Sequence, residues 1–122
     1  SMETEQFSGR SAEMRKDTPW LASEDLMDLG KEPVVEIAGV FKHKNAVFDD
    51  GRKDTVYALA FKGGKKQLVL NATNRKRLVD MFGTTKVDQW IGKKIRLYVE
   101  DGVRKPGGAK GETTRGIRVR SV

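Results

Sequence analysis

The sequence contains no cysteine and only one histidine, His43. Without thiols the chain forms no disulfide and has no thiolate nucleophile, and one histidine is too few for most zinc sites or for the usual catalytic triads. No apolar run reaches the length of about 18 residues that a membrane-spanning helix needs. No apolar segment with a cleavage site opens the chain, so we expect a cytoplasmic protein. These absences favour a binding module over an enzyme, and we expect neither a cofactor nor a metal ion.

Positive charge is the most pronounced feature of what is present. The 122 residues include 24 Lys and Arg against 17 Asp and Glu, which gives a net charge of +7 and a pI of about 9.8. Residues 1–33 carry eight acids and four bases, a net of −4, whereas residues 34–122 carry nine acids and 20 bases, a net of +11. A chain of this length supports one domain, and its basic part indicates an anionic partner.

Residues 1–19 have little apolar content and no periodicity, which is typical of a flexible N-terminal tail. Residues 20–122 then form a single domain. It begins with Trp20, expected to anchor the N-terminal segment, and with a short helical turn that Ser23 caps and Gly30 ends. The acidic tail is either a solvated leader or a segment that masks the basic surface.

The remainder of the chain reads mostly as strands, since β-branched and apolar residues alternate with polar ones. A helical period appears once, where Leu78, Met81 and Phe82 lie at positions i, i+3 and i+4 and Gly83 ends the helix. Gly39 is placed for a bulge in the first strand. The strands are expected over residues 34–42, 55–62, 65–70, 95–99 and 117–120, and the longer loops over residues 43–54 and 101–115.

Three strands, one helix and two further strands are the elements of an OB-fold, a partly open five-stranded Greek-key barrel. A ferredoxin-like domain would need a second helix. An SH3-like barrel has no room for a helix of about three turns between its third and fourth strands. The predicted fold is therefore mostly β: an OB-fold-like barrel with one helix between strands 3 and 4 and a short N-terminal helical turn.

Four segments carry a resemblance to known proteins. They are residues 20–29, residues 34–40, Leu-Val-Leu-Asn-Ala-Thr-Asn at 68–74 and Trp-Ile-Gly-Lys-Lys-Ile-Arg-Leu at 90–97. Over residues 20–122 the chain resembles small phage and prophage proteins with OB-like folds, related to single-stranded DNA-binding proteins. These segments are mostly structural, so they specify the fold better than the activity.

The resemblance implies a role in phage DNA metabolism, in the cytoplasm of the host cell. It implies single-stranded DNA as the ligand and, as partners, a host or phage replication protein or further copies of the chain. Bacterial single-stranded DNA-binding proteins end in an acidic tip that recruits partners, whereas this chain ends in the basic residues 118–122. Recruitment by that route is therefore not expected.

In an OB-fold, nucleic acid lies across strands 2 and 3, between the loops that join strands 1–2 and 4–5. Both loops contain Lys and Arg here, and residues 93–120 hold nine bases against three acids. Arg118 and Arg120 alternate and therefore share one face of the last strand, where they can follow a phosphate backbone. The candidate nucleic-acid-binding residues are Lys44, Arg52, Tyr57, Lys62, Arg96, Tyr98, Arg104, Lys105, Lys110, Arg115, Arg118 and Arg120.

Aromatic residues are the candidates for base stacking, which contributes about 1–3 kcal/mol per base. Tyr57 and Tyr98 are the first choices, and Tyr98 alternates with polar residues and is expected to be exposed. Tyr57 shares a strand face with Leu59, so its ring belongs either to the core or to the surface. Trp90 is expected in the core and His43 in an exposed loop. Phe41, Phe48 and Phe61 are the remaining rings in or beside the first two strands.

Enzyme motifs are incomplete. Gly102 and Gly107 have the glycine spacing of a phosphate-binding loop, but Gly108 occupies the position that requires lysine. Asp49 and Asp50 precede a glycine, which is a turn signal, and they lack the ligand spacing of an EF-hand. We therefore expect no catalytic activity.

Two functions stay open for the basic surface. The first is single-stranded nucleic acid binding with low sequence specificity, with DNA favoured over RNA. The second is a phage-encoded protein-interaction module, an adaptor or inhibitor that engages an acidic host protein through its basic face. A structural phage component is a third. Net charge alone does not separate them, because nucleic acid and acidic proteins are both anionic.

Overall fold

The computed structural model describes residues 2–15, 17–105 and 107–122. None of the helices described is long and apolar enough to cross a membrane. Two short 3-10 helices cover Ser11–Met14 and Val87–Trp90. The other elements, in chain order, are α1 (Ser23–Leu29), β1 (Val34–Val47), β2 (Lys53–Phe61), β3 (Leu68–Val69), α2 (Ala72–Phe82), β4 (Lys94–Arg104) and β5 (Thr113–Arg120).

The five strands form one antiparallel sheet in the order β3-β2-β1-β4-β5. The structure thus confirms a mostly β fold with one α-helix between the third and fourth strands and a short helix near the N-terminus. Within the described ranges no backbone pairing joins β3 to β5, the two edge strands. The observed sheet is therefore open, and closure into a barrel is not seen in its hydrogen bonding.

Strand β1 connects the two halves of the sheet. Residues 37–47 pair with β2, and residues 34–36 pair with β4. The register shifts between Ile37 and Gly39, which leaves Ala38 as an extra residue, so the bulge predicted at Gly39 is confirmed. A bulge bends its strand, and the bend allows one strand to pair with partners that lie in different directions.

The core lies between one face of the sheet and α2. Ile95 and Leu97 of β4 alternate with polar residues and are at most 1% exposed. Leu78 of α2 is fully buried against them in the same cluster. Trp90 is 1% exposed, as predicted, and its Nε1 donates to the carbonyl oxygen of Thr84 at 3.1 Å. Full burial of one such apolar side chain contributes about 1.5–3 kcal/mol to folding.

Helix α2 begins and ends at residues that its sequence specifies. The side chain of Asn71 accepts a hydrogen bond from the backbone N–H of Asn74 at 2.8 Å. Gly83 adopts a left-handed φ of 67° and ends the helix, as predicted. The Nδ2 of Asn74 donates to the carbonyl oxygen of Ile117 at 2.9 Å, which ties the first turn of α2 to β5.

Helix α1 starts differently from the prediction. Ser23 is its first residue rather than its cap, and Ala22 occupies the cap position. An alanine side chain accepts no hydrogen bond, so the carboxylate of Asp25 closes this end by accepting from the backbone N–H of Ala22 at 2.8 Å. The end of the helix is as expected, with Gly30 at a left-handed φ of 67°.

Strand covers 7 of the 12 residues in the loop expected over 43–54 and 7 of the 15 residues in the loop expected over 101–115. The connection from β1 to β2 shrinks to residues 48–52, with Gly51 at a φ of 82°, and β4 and β5 extend toward each other in the same way. β3 is shorter than expected, with only two residues. Most side chains in these extensions are exposed, so the apolar–polar alternation of a half-buried strand is missing although the backbone pairing continues.

Residues 11–15 contact the domain. The backbone N–H of Ala12 donates to Asp28 at 2.8 Å, and Ala12 is buried. Arg15 forms ion pairs with Asp25 at 3.0 Å and with Asp49 at 3.4 Å. These contacts place this part of the N-terminal segment beside α1 and the β1–β2 connection. The mobility of residues 1–19 and the domain boundary at residue 20 stay predictions.

Candidate nucleic-acid interface

Four aromatic rings follow one another along the β1–β2 hairpin. The ring centroids of Phe41 and His43 are 6.3 Å apart, and those of His43 and Trp20 are 5.4 Å apart. Trp20 and Phe48 stack with centroids 5.7 Å apart and an angle of 27° between their planes. The guanidinium of Arg52 lies 4.8 Å from the centroid of Phe48. We call Trp20, Phe41, His43 and Phe48 the aromatic row.

Strand geometry places the first two rings on the outer face of the sheet. Val40 packs against the core, so its neighbour Phe41 and the next alternate residue, His43, point the other way. The ring of Phe41 lies across the backbone of Gly39, where a Cβ would come within 2.8 Å of its Cε2 atom. Glycine at this position is therefore what leaves room for the ring.

Hydrogen bonds at the edge of β3 hold the rings of Trp20 and His43. The backbone N–H of Gln67 donates to the carbonyl oxygen of Pro19, and its carbonyl accepts from the N–H of Leu21, both at 2.8 Å. This short parallel pairing fixes Trp20, whose Nε1 also donates to Val47 at 3.1 Å. The side chain of Gln67 bonds Nε2 of His43 at 2.7 Å. The row is thus positioned by three separate segments of the chain.

The aromatic row has the properties of a stacking surface. Phe41 is 48% exposed, and the other three residues are half-buried. Hydrogen bonds hold the side chains of Trp20 and His43, so a ligand would immobilise little at these two rings on binding. Exposed flat rings can stack on nucleobases, because every base presents a π-face.

Tyr57 lies on the opposite face of the hairpin from the row. It is the register partner of Lys42, whose Nζ is 5.9 Å from the Tyr57 ring centroid. The residue is 51% exposed, so it belongs to the surface and not to the core. Phe61, on the same face of β2, is 7% exposed and does belong to the core.

The three predicted cations of the first two strands are separated by the length of β2. Lys44 and Arg52 are exposed near the turn of the hairpin. Lys62 follows the other end of β2, where its N–H donates to the carbonyl oxygen of Glu36. A strand of nine residues spans about 30 Å. Lys62 therefore does not share a site with Arg52.

A second group of predicted residues lies on the outer face of β4 and β5. The register pairs Arg96 with Arg120 and Tyr98 with Arg118. The Arg120 guanidinium lies 4.6 Å from the Tyr98 ring centroid, and Arg77 of α2 donates to the Tyr98 hydroxyl at 2.7 Å. We call Arg77, Arg96, Arg118 and Arg120 the arginine cluster.

Two members of this group differ from the sequence expectation. Arg118 is 7% exposed and its Nε donates to Glu100 at 3.0 Å, so its guanidinium is covered and paired and is not an open contact for phosphate. Tyr98 is half-buried, and the guanidinium of Arg120 covers one face of its ring. The alternation of Arg118 and Arg120 correctly indicates a shared face, but α2 and neighbouring carboxylates cover part of that face.

Ion pairs occupy two of the four cations predicted in the β4–β5 arm, residues 100–116. Lys105 pairs with Glu112 at 3.1 Å, and Arg115 pairs with Asp101 at 2.9 Å. The N–H of Ala109 and the ammonium of Lys105 hold the pKa of the Glu112 carboxyl below its usual value. These ion pairs link residues within the arm and neutralise two of its positive charges.

The other two cations of the arm, Arg104 and Lys110, are exposed. Neither has a carboxylate within 4.0 Å among the residues described. Strand β4 pairs with β1 at residues 34–36, whereas β2 pairs with β1 at residues 37–47. The arm also lies beside β3, since Arg104 and Arg115 line one cavity together with Leu68. The twelve predicted residues are therefore carried by two hairpins.

None of the four residues of the row belongs to the twelve predicted nucleic-acid-binding residues, although Phe41 and Phe48 are among the aromatic candidates for stacking. Trp20 was expected only as an anchor, and it serves as one while its ring also stacks on Phe48. His43 lies in β1 and not in an exposed loop. The spacing of Phe41 and His43, two residues apart in a strand, is a sequence signal for a shared face. The contribution of Trp20 depends on pairing with Gln67 and has no such signal.

Comparison with protein-family models, with curated proteins and with solved structures finds no match for this chain. In the described part of the chain, no group of three or more His, Asp or Glu side chains is arranged to hold a metal ion. The function is therefore argued from the two surfaces themselves, the aromatic row and the arginine cluster.

Proposed function

We propose that this protein is a single-stranded nucleic-acid-binding module with an OB-fold-like barrel architecture, which binds DNA with little sequence preference. The aromatic row is the observation that carries the proposal. The strand order supports the architecture, because a central β1 flanked by β2 and β4, with a helix after β3, fits a Greek-key barrel opened between β3 and β5. The resemblance to phage proteins adds phage DNA metabolism as the setting.

Binding in this proposal combines stacking with backbone contacts. Bases stack on the exposed ring of Phe41 and contact the half-buried rings beside it. The phosphate backbone follows the hairpin, where Arg52 and Lys44 supply positive charge. Each phosphate contact releases condensed counterions, so affinity falls as salt rises. Stacking tolerates all four bases, which is why low sequence specificity is expected.

Replacement of one exposed ring tests the proposal. Phe41→Ala is expected to weaken binding of a single-stranded oligonucleotide by about tenfold, the equivalent of a stacked base at the lower end of the range. Fluorescence anisotropy with an oligothymidylate at low salt measures the affinity. Phe7→Ala is the matched control, because Phe7 is a similarly exposed phenylalanine (55% against 48%) outside the row, and it should bind like the parent.

Two outcomes of that measurement would contradict the proposal. Absence of binding at low salt removes nucleic acid as the ligand. Equal affinity for single-stranded and duplex DNA, with no effect of Phe41→Ala, leaves only non-specific attraction by charge.

A protein-interaction module is the second candidate, and the exposed cations Arg104 and Lys110 favour it. Neither cation has a carboxylate within 4.0 Å in residues 2–15, 17–105 and 107–122, so both keep their positive charge for an acidic protein surface. If this function is correct, Arg104→Gln/Lys110→Gln abolishes capture of an acidic partner protein, while Phe41→Ala leaves it intact.

A further inference from the structure

The arginine cluster carries more positive charge than the carboxylates beside it. Its two carboxylates, Glu32 and Glu100, each form an ion pair with one arginine. Among the residues described, no carboxylate lies within 4.0 Å of Arg77 or Arg96. Four guanidinium groups against two carboxylates leave a local charge of +2.

Tyr98 lies at the centre of this charge. Its hydroxyl oxygen accepts a hydrogen bond from Nη1 of Arg77 at 2.7 Å, and Arg120 packs on its ring. Because the oxygen is the acceptor, the phenolic proton remains available as a donor. Arg77 likewise keeps N–H groups that no carboxylate takes up. Donors from α2, β4 and β5 thus meet on one surface, and an oxyanion is the kind of ligand that satisfies them.

We propose that the arginine cluster binds a phosphate dianion through Arg77, Arg96 and Arg120, and that in a nucleic acid this group is the terminal phosphate of a strand. A phosphate monoester carries a charge of about −1.5 to −2 near neutral pH, which matches the +2 of the cluster. An internal phosphodiester carries a charge of about −1 and therefore neutralises only part of the positive charge of the cluster. The planar guanidinium of arginine can pair with two phosphate oxygens at once, which suits a phosphate ligand.

The position of the cluster agrees with this ligand, and this part of the inference rests on the proposed function. Arg96 is the register partner of Val34 at the start of β1, and Phe41 lies further along the same strand. Val35 and Val40 both pack on the core, so Val34 and Phe41 both face outward. Seven residues of strand span about 23 Å. A single-stranded DNA whose terminal phosphate is bound at the arginine cluster can therefore extend along β1 to the aromatic row.

Oligothymidylates of one length with a 5′-phosphate, a 3′-phosphate or hydroxyls at both ends test the inference. The parent protein is expected to bind one phosphorylated form about tenfold more tightly than the hydroxyl form, as charge-assisted hydrogen bonds predict. Arg77→Gln should abolish this preference, so that the phosphorylated and hydroxyl forms bind with equal affinity. Arg75→Gln is the matched control, since Arg75 is an exposed arginine on the same helix, and it should keep the preference.

Equal affinity for all three oligonucleotides would overturn the inference, and so would an equal loss of preference in Arg75→Gln and Arg77→Gln. If no oligonucleotide binds, the proposed function fails. Titration of the protein with inorganic phosphate then tests whether the arginine cluster binds phosphate. Chemical-shift changes at the Tyr98 ring that are lost in Arg77→Gln would establish a phosphate site. Their absence would exclude it.

Discussion

Gly39 and Phe41 form a pair in which the smaller residue determines where the larger one lies. The ring of Phe41 covers the Gly39 backbone, and the nearest ring atoms would be 2.8 and 2.9 Å from a Cβ at Gly39. These atoms belong to the far end of an exposed side chain, which can swing away. A methyl group at Gly39 is therefore expected to displace the ring and not the strand.

Gly39→Ala tests this dependence at the level of single residues. We expect the free energy of unfolding in urea to fall by less than about 1 kcal/mol, because the ring can move. Affinity for single-stranded DNA is expected to fall about as much as in Phe41→Ala. In the Phe41→Ala background, Gly39→Ala should have no further effect on affinity. Additive losses in the double variant would show that Gly39 acts independently of the ring.

Helix α1 is an element whose start depends on one carboxylate. Asp25 accepts from the backbone N–H of Ala22, and it pairs with Arg15 at 3.0 Å and with Lys66 at 3.2 Å. Burial raises the pKa of Asp25, but the hydrogen bond from Ala22 and the charges of Lys66 and Arg15 together lower it by more. The net pKa therefore lies below its ordinary value of 3.8.

Asp25→Asn keeps an oxygen that can accept from Ala22 but removes the charge that pairs with Arg15 and Lys66. It is therefore expected to lower the free energy of unfolding by up to about 1 kcal/mol near neutral pH. The pKa of Asp25 is lower in the folded than in the unfolded state, so its stabilisation is fully present above the unfolded value of 3.8. It is lost as the pH falls through the lower folded pKa. Urea denaturation should therefore show the difference between parent and variant shrinking at acidic pH.

Glu24→Gln is the control for this experiment. Its side chain is 49% exposed and lies 3.9 Å from Arg15, so its loss should change stability little at any pH. A difference between parent and Asp25→Asn that stays constant from neutral to strongly acidic pH would argue against an ionised Asp25 as the stabilising group.

At the same scale, the arms of the two hairpins show where a sequence prediction of elements fails. Strand signals depend on alternation between a buried and an exposed face, and residues 34–42 and 95–99 have it. Beyond the core both faces meet solvent, so residues such as Lys44, Lys53 and Arg104 carry no period. Backbone pairing between neighbouring segments continues there without an alternation of apolar and polar residues. The sequence pattern therefore does not predict these parts of the strands.

At the scale of the whole molecule, exposed positive charges lie on both hairpins, and the N-terminal residues 1–33 carry a net negative charge. Salt dependence measures how many of these cations contact a bound strand. For single-stranded nucleic acid the slope of log K against log salt is about −0.7 for each phosphate neutralised. The exposed cations of the β4–β5 arm, Arg104 and Lys110, therefore have a measurable signature.

If both cations contact the strand, Arg104→Gln/Lys110→Gln should reduce the slope by about 1.4. Anisotropy titrations over a salt series give this value. Arg75→Gln/Lys76→Gln removes the same charge from exposed positions on α2 and should leave the slope nearly unchanged. Equal slopes in the parent and the arm variant would restrict the binding surface to the β1–β2 hairpin.

The sequence by itself determined the mostly β fold, the bulge at Gly39, the ends of α2 and the buried position of Trp90. Each of these depends on local backbone preferences or on a period of apolar residues, which neighbouring residues express directly. Only the tertiary structure assembled the aromatic row, because Trp20 reaches it through pairing with Gln67, a residue distant in sequence. It also decided that Arg118 is buried, since its guanidinium pairs with Glu100 on a face that alternation alone would leave open.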